Sequence, residues 1–318
     1  MKKKTVLKNK IILGGVIIAA ILITTWLAGS LFSQKQRSET TTPKVAATIF
    51  PLYDIARHVA GDAAEVTLLL PSGASPHTFE PTPTTLKNLH AAAVLYTIGY
   101  GMDDWAIALA EGGQTNVITL TAGINLYHSE GDQIITAEAS ERESEPDHEH
   151  GDTDPHYWLS VPNAAIIATN IATDLMTRWP NLAPVIETNL IAYLDELAKA
   201  DTQIREILSR IQKREIVTLH AAWYYFAEEY DLTVAASFEP SPGKEPTPQY
   251  LASLGHAVDQ TDVGIVYSEP QISTATLEPF VQDHGLKIAI LDPLGGFNNR
   301  DSYIALMLYN AQTIAQNQ

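Results

Sequence analysis

Residues 182–213 read LAPVIETNLIAYLDELAKADTQIREILSRIQK, a run of 32 residues with no glycine and one proline, Pro184, close to its start. A proline in the first turn of a helix removes a donor that has no intrahelical partner anyway, so it does not argue against a helix there. The rest is rich in Leu, Ile, Ala, Glu and Lys, which favour helix. At 1.5 Å per residue the run reaches roughly 45 Å, enough to pass along two globular lobes as one rigid connector.

What flanks that run decides the fold. On its amino-terminal side, residues 45–50, 65–70, 92–98 and 116–120 are short, β-branched apolar segments that read as strands, and residues 52–59, 83–90 and 102–111 between them have helical spacing. On its carboxyl side, residues 215–219, 232–238, 263–268 and 287–291 read as strands, with helices expected at 222–230, 247–259, 273–283 and 302–316. Strands alternating with helices imply a parallel sheet covered by helices. The expected architecture is α/β: two similar lobes with parallel sheets, 44–181 and 214–318, joined by the spanning helix 182–213. A rigid connector limits how far such lobes can open.

The first 43 residues read as a membrane anchor or signal segment plus linker. Lys2, Lys3, Lys4, Lys8 and Lys10 precede an uncharged stretch, 11–33, long enough as a helix to cross a bilayer of roughly 30 Å. The positive-inside rule leaves the lysines in the cytoplasm and exports the remainder. Leu27-Ala28-Gly29-Ser30 only partly matches a cleavage site, so an uncleaved anchor is expected, with secretion after cleavage as the alternative. The chain has no cysteine to carry a lipid or a disulfide, so the exported part must be held by its core alone.

A net charge of −17 sets the chain against nucleic acid as a partner. Much of that charge is local: between Ser129 and Pro155 ten acidic residues face one base, Arg142, for a net −9. Repulsion and few apolar residues predict a disordered loop. It carries His148 and His150, which are either incidental to a solvated loop or a weak, low-affinity metal-collecting arm.

Four separated motifs each offer a metal ligand. Ser75-Pro76-His77, Asp154-Pro155-His156 and Thr218-Leu219-His220 supply imidazoles, and Leu291-Asp292-Pro293 supplies a carboxylate. A lone histidine after a strand is more often a hydrogen-bonded structural residue. Here Pro76 and Pro155 fix φ just before two of them, and ligands in open α/β sheets gather at the carboxyl ends of strands. His77, His156, His220 and Asp292 are therefore expected to meet in the cleft between lobes. Three neutral imidazoles and a carboxylate suit Zn²⁺; Mn²⁺, which prefers more oxygen, is the alternative, and copper and nickel fit the ligands too. Ordinary imidazole titration predicts that affinity falls below about pH 6.5.

No catalytic residue is expected. All four positions are filled by protein and no H-E-x-x-H motif occurs, which argues against a zinc hydrolase. Glu80 and Glu269 are the only candidate bases, and Glu80 reads instead as an outer partner orienting His77. His58, His90, His256 and His284 read as surface residues, and Trp158, Trp223, Tyr224, Tyr225 and Phe226 as packing around the cleft.

The runs Pro76-His77-Thr78-Phe79-Glu80-Pro81-Thr82-Pro83, Asp154-Pro155-His156-Tyr157-Trp158-Leu159 and Asp292-Pro293-Leu294-Gly295, with His220-Ala221 and Tyr225-Phe226 behind it, carry a resemblance. They resemble the metal-binding substrate-binding proteins of zinc and manganese ABC transporters (periplasmic solute-binding protein family 9), the zinc branch more than the manganese branch, over nearly all of the chain from Lys44. The resemblance implies a monomeric, extracytoplasmic two-lobed protein that hands its ion to a membrane permease. It also implies His77, His156, His220 and Asp292 as ligands; manganese-type members usually have a second carboxylate where His220 stands. A metal-holding adhesin is a further alternative.

Overall fold

The computed structural model describes residues 42–130, 133–136, 153–239, 247–260, 263–275 and 277–318. Residues 11–33, on which an anchor is expected, lie outside the described residues, as do 137–152 with His148 and His150. Among the described residues no helix is long and apolar enough to cross a membrane.

All eight expected strands form, in two four-stranded sheets. The first contains β1 (Lys44–Ala47), β2 (Glu65–Leu68), β3 (Val94–Thr97) and β4 (Asn116–Thr119) in the order β2-β1-β3-β4. A hairpin of β5 (Tyr127–Glu130) and β6 (Gln133–Thr136) follows, and then the second sheet: β7 (Glu215–His220), β8 (Thr233–Glu239), β9 (Ile265–Ser268) and β10 (Lys287–Ile290), ordered β10-β9-β7-β8. Every pairing within the two large sheets is parallel. Counted from its own first strand, each sheet has the same topology. The crossover direction reverses between β1 and β3 in one sheet and between β7 and β9 in the other, and it is at such switch points that open sheets leave a crevice.

The apolar runs are continuous because both faces of each sheet are covered. Along β1, Val45 and Ala47 face a large central core while Ala46 joins Leu89 and Leu95 in a smaller outer one. Along β7, Ile216 faces the central core while Val217 and Leu219 pack outward with Phe238 and Val266.

The helices are α1 (Phe50–Ala60), α2 (Pro83–Ala91), α3 (Asp104–Ala110), α4 (Val161–Arg178), α5 (Ala183–Leu208), α6 (Tyr224–Glu229), α7 (Pro248–Gln260), α8 (Glu278–Asp283) and α9 (Tyr303–Asn317). The connector is α5, of 26 residues, with Pro184 in its first turn and its end five residues short of Lys213. Helix α4 is not foreseen from the sequence. Ser160 caps it, its hydroxyl accepting from the N–H of Asn163, and Ile167, Ile171 and Leu175 form its buried stripe. Helices α4 and α9 both pack on α5, and α1 packs on both α4 and α5. Both sheets and their connector thus form one compact unit, Pro43–Gln318.

Two expectations are corrected. The stretch 129–155 is not featureless from its start: Tyr127–Glu130 pairs antiparallel with Gln133–Thr136, and Thr153 bridges back to His128. Backbone pairing of alternating residues there outweighs charge repulsion, which is diluted at the loop's ends. His58 is not a free surface residue, since its ring stacks on Tyr193 at 4.6 Å and its Nδ1 contacts the Asp54 carbonyl oxygen at 2.8 Å.

Candidate metal centre

His77 lies in the loop after β2, directly after the buried Pro76, and is itself half-buried. His156 lies just before a single 3-10 turn, Tyr157–Leu159. His220 is the last residue of β7, one position further into the strand than expected. Strand end, loop and turn bring the three rings together: centroids are 5.8 Å apart for His77 and His156, 5.4 Å for His77 and His220, and 4.9 Å for His156 and His220. One nitrogen of each ring lies within 4.8 Å of the others.

Two carboxylates stand behind this triangle. Asp154 Oδ1 accepts from the backbone N–H of His156 at 2.9 Å, an Asx-type turn, and from its ring Nδ1 at 2.7 Å. That bond puts the proton on Nδ1 and leaves the Nε2 lone pair for another partner. Glu269, one residue beyond β9, places Oε1 3.3 Å from Nδ1 of His220 and accepts from the Trp223 indole at 3.3 Å. Neither role is read from the sequence. The signal for Asp154 is present, an Asp two residues before a ligand histidine with proline between; Glu269 becomes meaningful only once β9 is paired with β7.

Glu80 does not take the expected place. It is exposed, and among the described residues no hydrogen bond or ion pair joins it to His77. The chain after His77 runs outward toward α2, where Thr82 caps the helix with Thr85, so Glu80 projects to solvent.

Asp292 is likewise not drawn into the histidine group. It follows β10 after Leu291 and is fully buried, but its oxygens are engaged elsewhere. Oδ1 accepts from the amides of Leu294 and Gly295, both at 3.0 Å, and from Gln271 Nε2 at 2.9 Å. Oδ2 forms an ion pair with Arg300 Nε at 2.8 Å. Arg300 goes unnoticed in the sequence although Asn298-Asn299 announces the turn that aims it. Both asparagines have positive φ, 51° and 65°, and Arg300 N–H donates to Phe297 O at 3.1 Å, as in a primed turn.

Of the aromatic residues expected around the site, Trp158, Trp223 and Tyr225 touch its groups. Trp158, 5.3 Å from the His156 ring, donates to Pro293 O at 2.8 Å, tying the first lobe's loop to the second lobe. Tyr225 donates to Asp154 O at 3.1 Å and accepts from Tyr127 N at 2.9 Å.

The electrostatics suit a cation-accepting site that resists protons. Burial, reinforced by the neighbouring rings of His156 and His220, lowers the pKa of His77 to about 3. Burial also lowers that of His156, against the pull of Asp154. Neutral imidazole is the ligating form, so the proton competition expected near pH 6.5 is displaced to lower pH.

The sequence model of one family, zinc-uptake complex component A, periplasmic, matches residues 45–317. The chain belongs to this family. Relatives of this chain include the zinc-binding lipoprotein AdcA of Streptococcus pneumoniae, 29% identical over 282 residues, which are 86% of this chain and 55% of AdcA. The chain thus spans about half the length of that relative. The manganese ABC transporter substrate-binding lipoprotein PsaA of Streptococcus mitis is 28% identical over 287 residues, 86% of this chain and 88% of PsaA. Among solved structures, a crystal structure of ZnuA superposes with a TM-score of 0.74 at 28% identity, covering 87% of this chain and 99% of ZnuA.

Proposed function

We propose that this chain is the extracytoplasmic capture protein of a metal ABC transporter: it binds Zn²⁺ between its two lobes and delivers it to a membrane permease. The observation that carries the reading is the convergence of His77, His156 and His220 from three separate elements, two of them backed by buried carboxylates. In a tetrahedral zinc site with bonds of about 2.0–2.1 Å, ligand nitrogens stand roughly 3.4 Å apart. A separation within 4.8 Å therefore needs only small side-chain adjustment. The AdcA and ZnuA likenesses support zinc as the cargo, the lobes being 44–181 and 214–318 around the connector.

Manganese is kept as a second reading because PsaA is nearly as similar and matches over more of its own length. An imidazole-rich set disfavours it, since Mn²⁺ prefers oxygen and higher coordination. Competitive calorimetry of the domain from Lys44 onward, with elemental analysis of unchelated protein, tests both. One zinc bound tightly and manganese much more weakly is expected; equal affinities would move the chain to the manganese branch. The anchoring by 11–33 belongs to the same proposal and is tested by fractionating cells.

A further inference from the structure

We infer that Arg300 is a specificity-determining residue that sets how many oxygen ligands the centre offers, by holding the Asp292 carboxylate in an ion pair away from the histidines. This rests on the proposed metal-capture reading and names what controls selectivity at that site.

Asp292 is anchored where a ligand would be useful. Its backbone is clamped by Asn310, which accepts from Asp292 N–H at 2.9 Å and donates to Asp292 O at 2.8 Å. The adjoining Pro293 carbonyl holds Trp158, which touches the His156 ring, and Gln271, two residues from Glu269, donates to Asp292 Oδ1. The carboxylate is thus linked through Pro293 and Trp158 to the His156 ring, and through Gln271 to the segment that carries Glu269.

Its two oxygens are not equivalent. Oδ1 already accepts three donors, more than one for each of its two lone pairs. Oδ2 lies 2.8 Å from Arg300 Nε, an ion pair without hydrogen-bond geometry, and accepts no hydrogen bond among the described residues, so Arg300 is the cation that occupies it. The guanidinium is fixed rather than mobile. Its Cζ lies 4.8 Å from the centroid of Phe297 and 4.5 Å from that of Tyr309, so the planar group is held between two aromatic faces. Asp292 is fully buried and Arg300 nearly so, 5% exposed.

A buried carboxylate needs a counter-charge. With Arg300 present, the need is met without metal and the centre remains a three-imidazole site. With Arg300 gone, no other cationic side chain among the described residues is paired with Asp292, which leaves the bound ion to neutralise it. Adding an anionic oxygen favours harder ions such as Mn²⁺ more than it favours Zn²⁺.

The test compares the parent domain, Arg300→Met and Arg300→Met with Asp292→Asn, titrated with ZnCl₂ and MnCl₂ by competition calorimetry. Thermal melts with and without each ion, and the EPR spectrum of bound Mn²⁺, are recorded alongside. Arg300→Met should bind Mn²⁺ on the order of tenfold tighter than the parent, a shift typical of altering one residue at or next to a metal's ligands. Its melting point should rise more on Mn²⁺ addition than the parent's does. The double variant, which has neither charge, should fold and lose both gains. Unchanged Mn²⁺ affinity in a folded Arg300→Met protein, or a gain that persists in the double variant, overturns the inference. A parent that binds neither ion overturns instead the capture reading on which it stands. Should Arg300→Met fail to fold without metal, rescue by Mn²⁺ that needs Asp292 supports the inference, and failure of rescue sinks it.

Discussion

Asp154 Oδ1 holds both the backbone N–H and the ring Nδ1 of His156, at 2.9 and 2.7 Å, so one buried oxygen fixes where that imidazole sits and which tautomer it adopts. Glu269 Oε1 lies 3.3 Å from Nδ1 of His220, a close contact without the hydrogen-bond geometry of the Asp154 pair, and among the described residues no carboxylate is paired with His77. The centre is therefore asymmetric, with two imidazoles backed by carboxylates and one carried by a loop.

That asymmetry predicts the outcome of removing the carboxylates. Asp154→Asn keeps the side chain's shape but loses the charge and can present an amide N–H to Nδ1, favouring the wrong tautomer. Zinc affinity should fall about 10- to 100-fold, the usual effect of losing such an outer partner. Glu269→Gln should lower it by less, since its contact with His220 is longer. Titration against a chromogenic zinc chelator measures both; equal affinity in Asp154→Asn and parent would remove Asp154 from the site's function.

Replacing a proposed ligand should have a different signature from replacing Asp292. His77→Ala, His156→Ala and His220→Ala each lose an imidazole that water replaces poorly, and zinc affinity should drop steeply while folding persists. Asp292→Ala instead strands the buried Arg300 guanidinium and empties three donors, and a broken buried pair costs about 3–5 kcal/mol of stability. Urea unfolding of the metal-free variants, set beside their zinc titrations, separates the classes. A histidine variant with parental affinity would not be a ligand.

The contrast also explains what the sequence could and could not reveal. The strands were legible because both sheets are buried on both faces, which writes each as an unbroken apolar run such as Glu215–His220. The connector was legible through its lack of glycine. Helix α4 was missed because Asn163, Thr169, Asn170 and Thr173 interrupt its apolar pattern with residues of poor helix propensity, overridden here by packing against α5. His77, His156 and His220 stood out because proline or a strand end precedes each. Asp292 carries the same strand-end signal, yet its partner Arg300 is recruited by a turn whose destination only tertiary structure fixes. A sequence can show that a carboxylate is poised at a strand end without showing which cation has claimed it.

A pH dependence follows from the depressed proton affinity of His77. Its folded pKa of about 3 lies below the unfolded value of about 6.5, so between those limits the unfolded chain takes up a proton that the native chain refuses. The stability of the metal-free protein should thus be full above pH 6.5 and decline steadily as pH falls toward 3; His156, shifted in the same direction, adds to the slope. In His77→Asn the slope should be shallower, as the group no longer titrates. Urea unfolding at pH 7, 6, 5 and 4 with a chelator present provides the comparison, and identical slopes in parent and variant would show that His77 is not held neutral in the native state.

The loop that carries Asp292 and Arg300 is pressed against the first lobe at Gly296. Its φ is +84°, and a Cβ built there would stand 2.7 Å from Ser72 Oγ and 2.9 Å from Phe50 Cδ2, at the start of α1. Gly73 has nearly the same φ, +85°, with nothing within 4 Å of its would-be Cβ. The two glycines therefore separate backbone strain from interlobe crowding. Gly73→Ala should cost only the left-handed penalty of about 1–2 kcal/mol. Gly296→Ala should cost that plus about 1–3 kcal/mol for overpacking, because Phe50 is buried and cannot swing away freely. The excess should appear in urea midpoints at unchanged slope, and zinc should restore part of it if closing the lobes on the ion drives the same surfaces together. Equal losses in the two variants would mean that the loop and the first lobe are not in firm contact at Gly296.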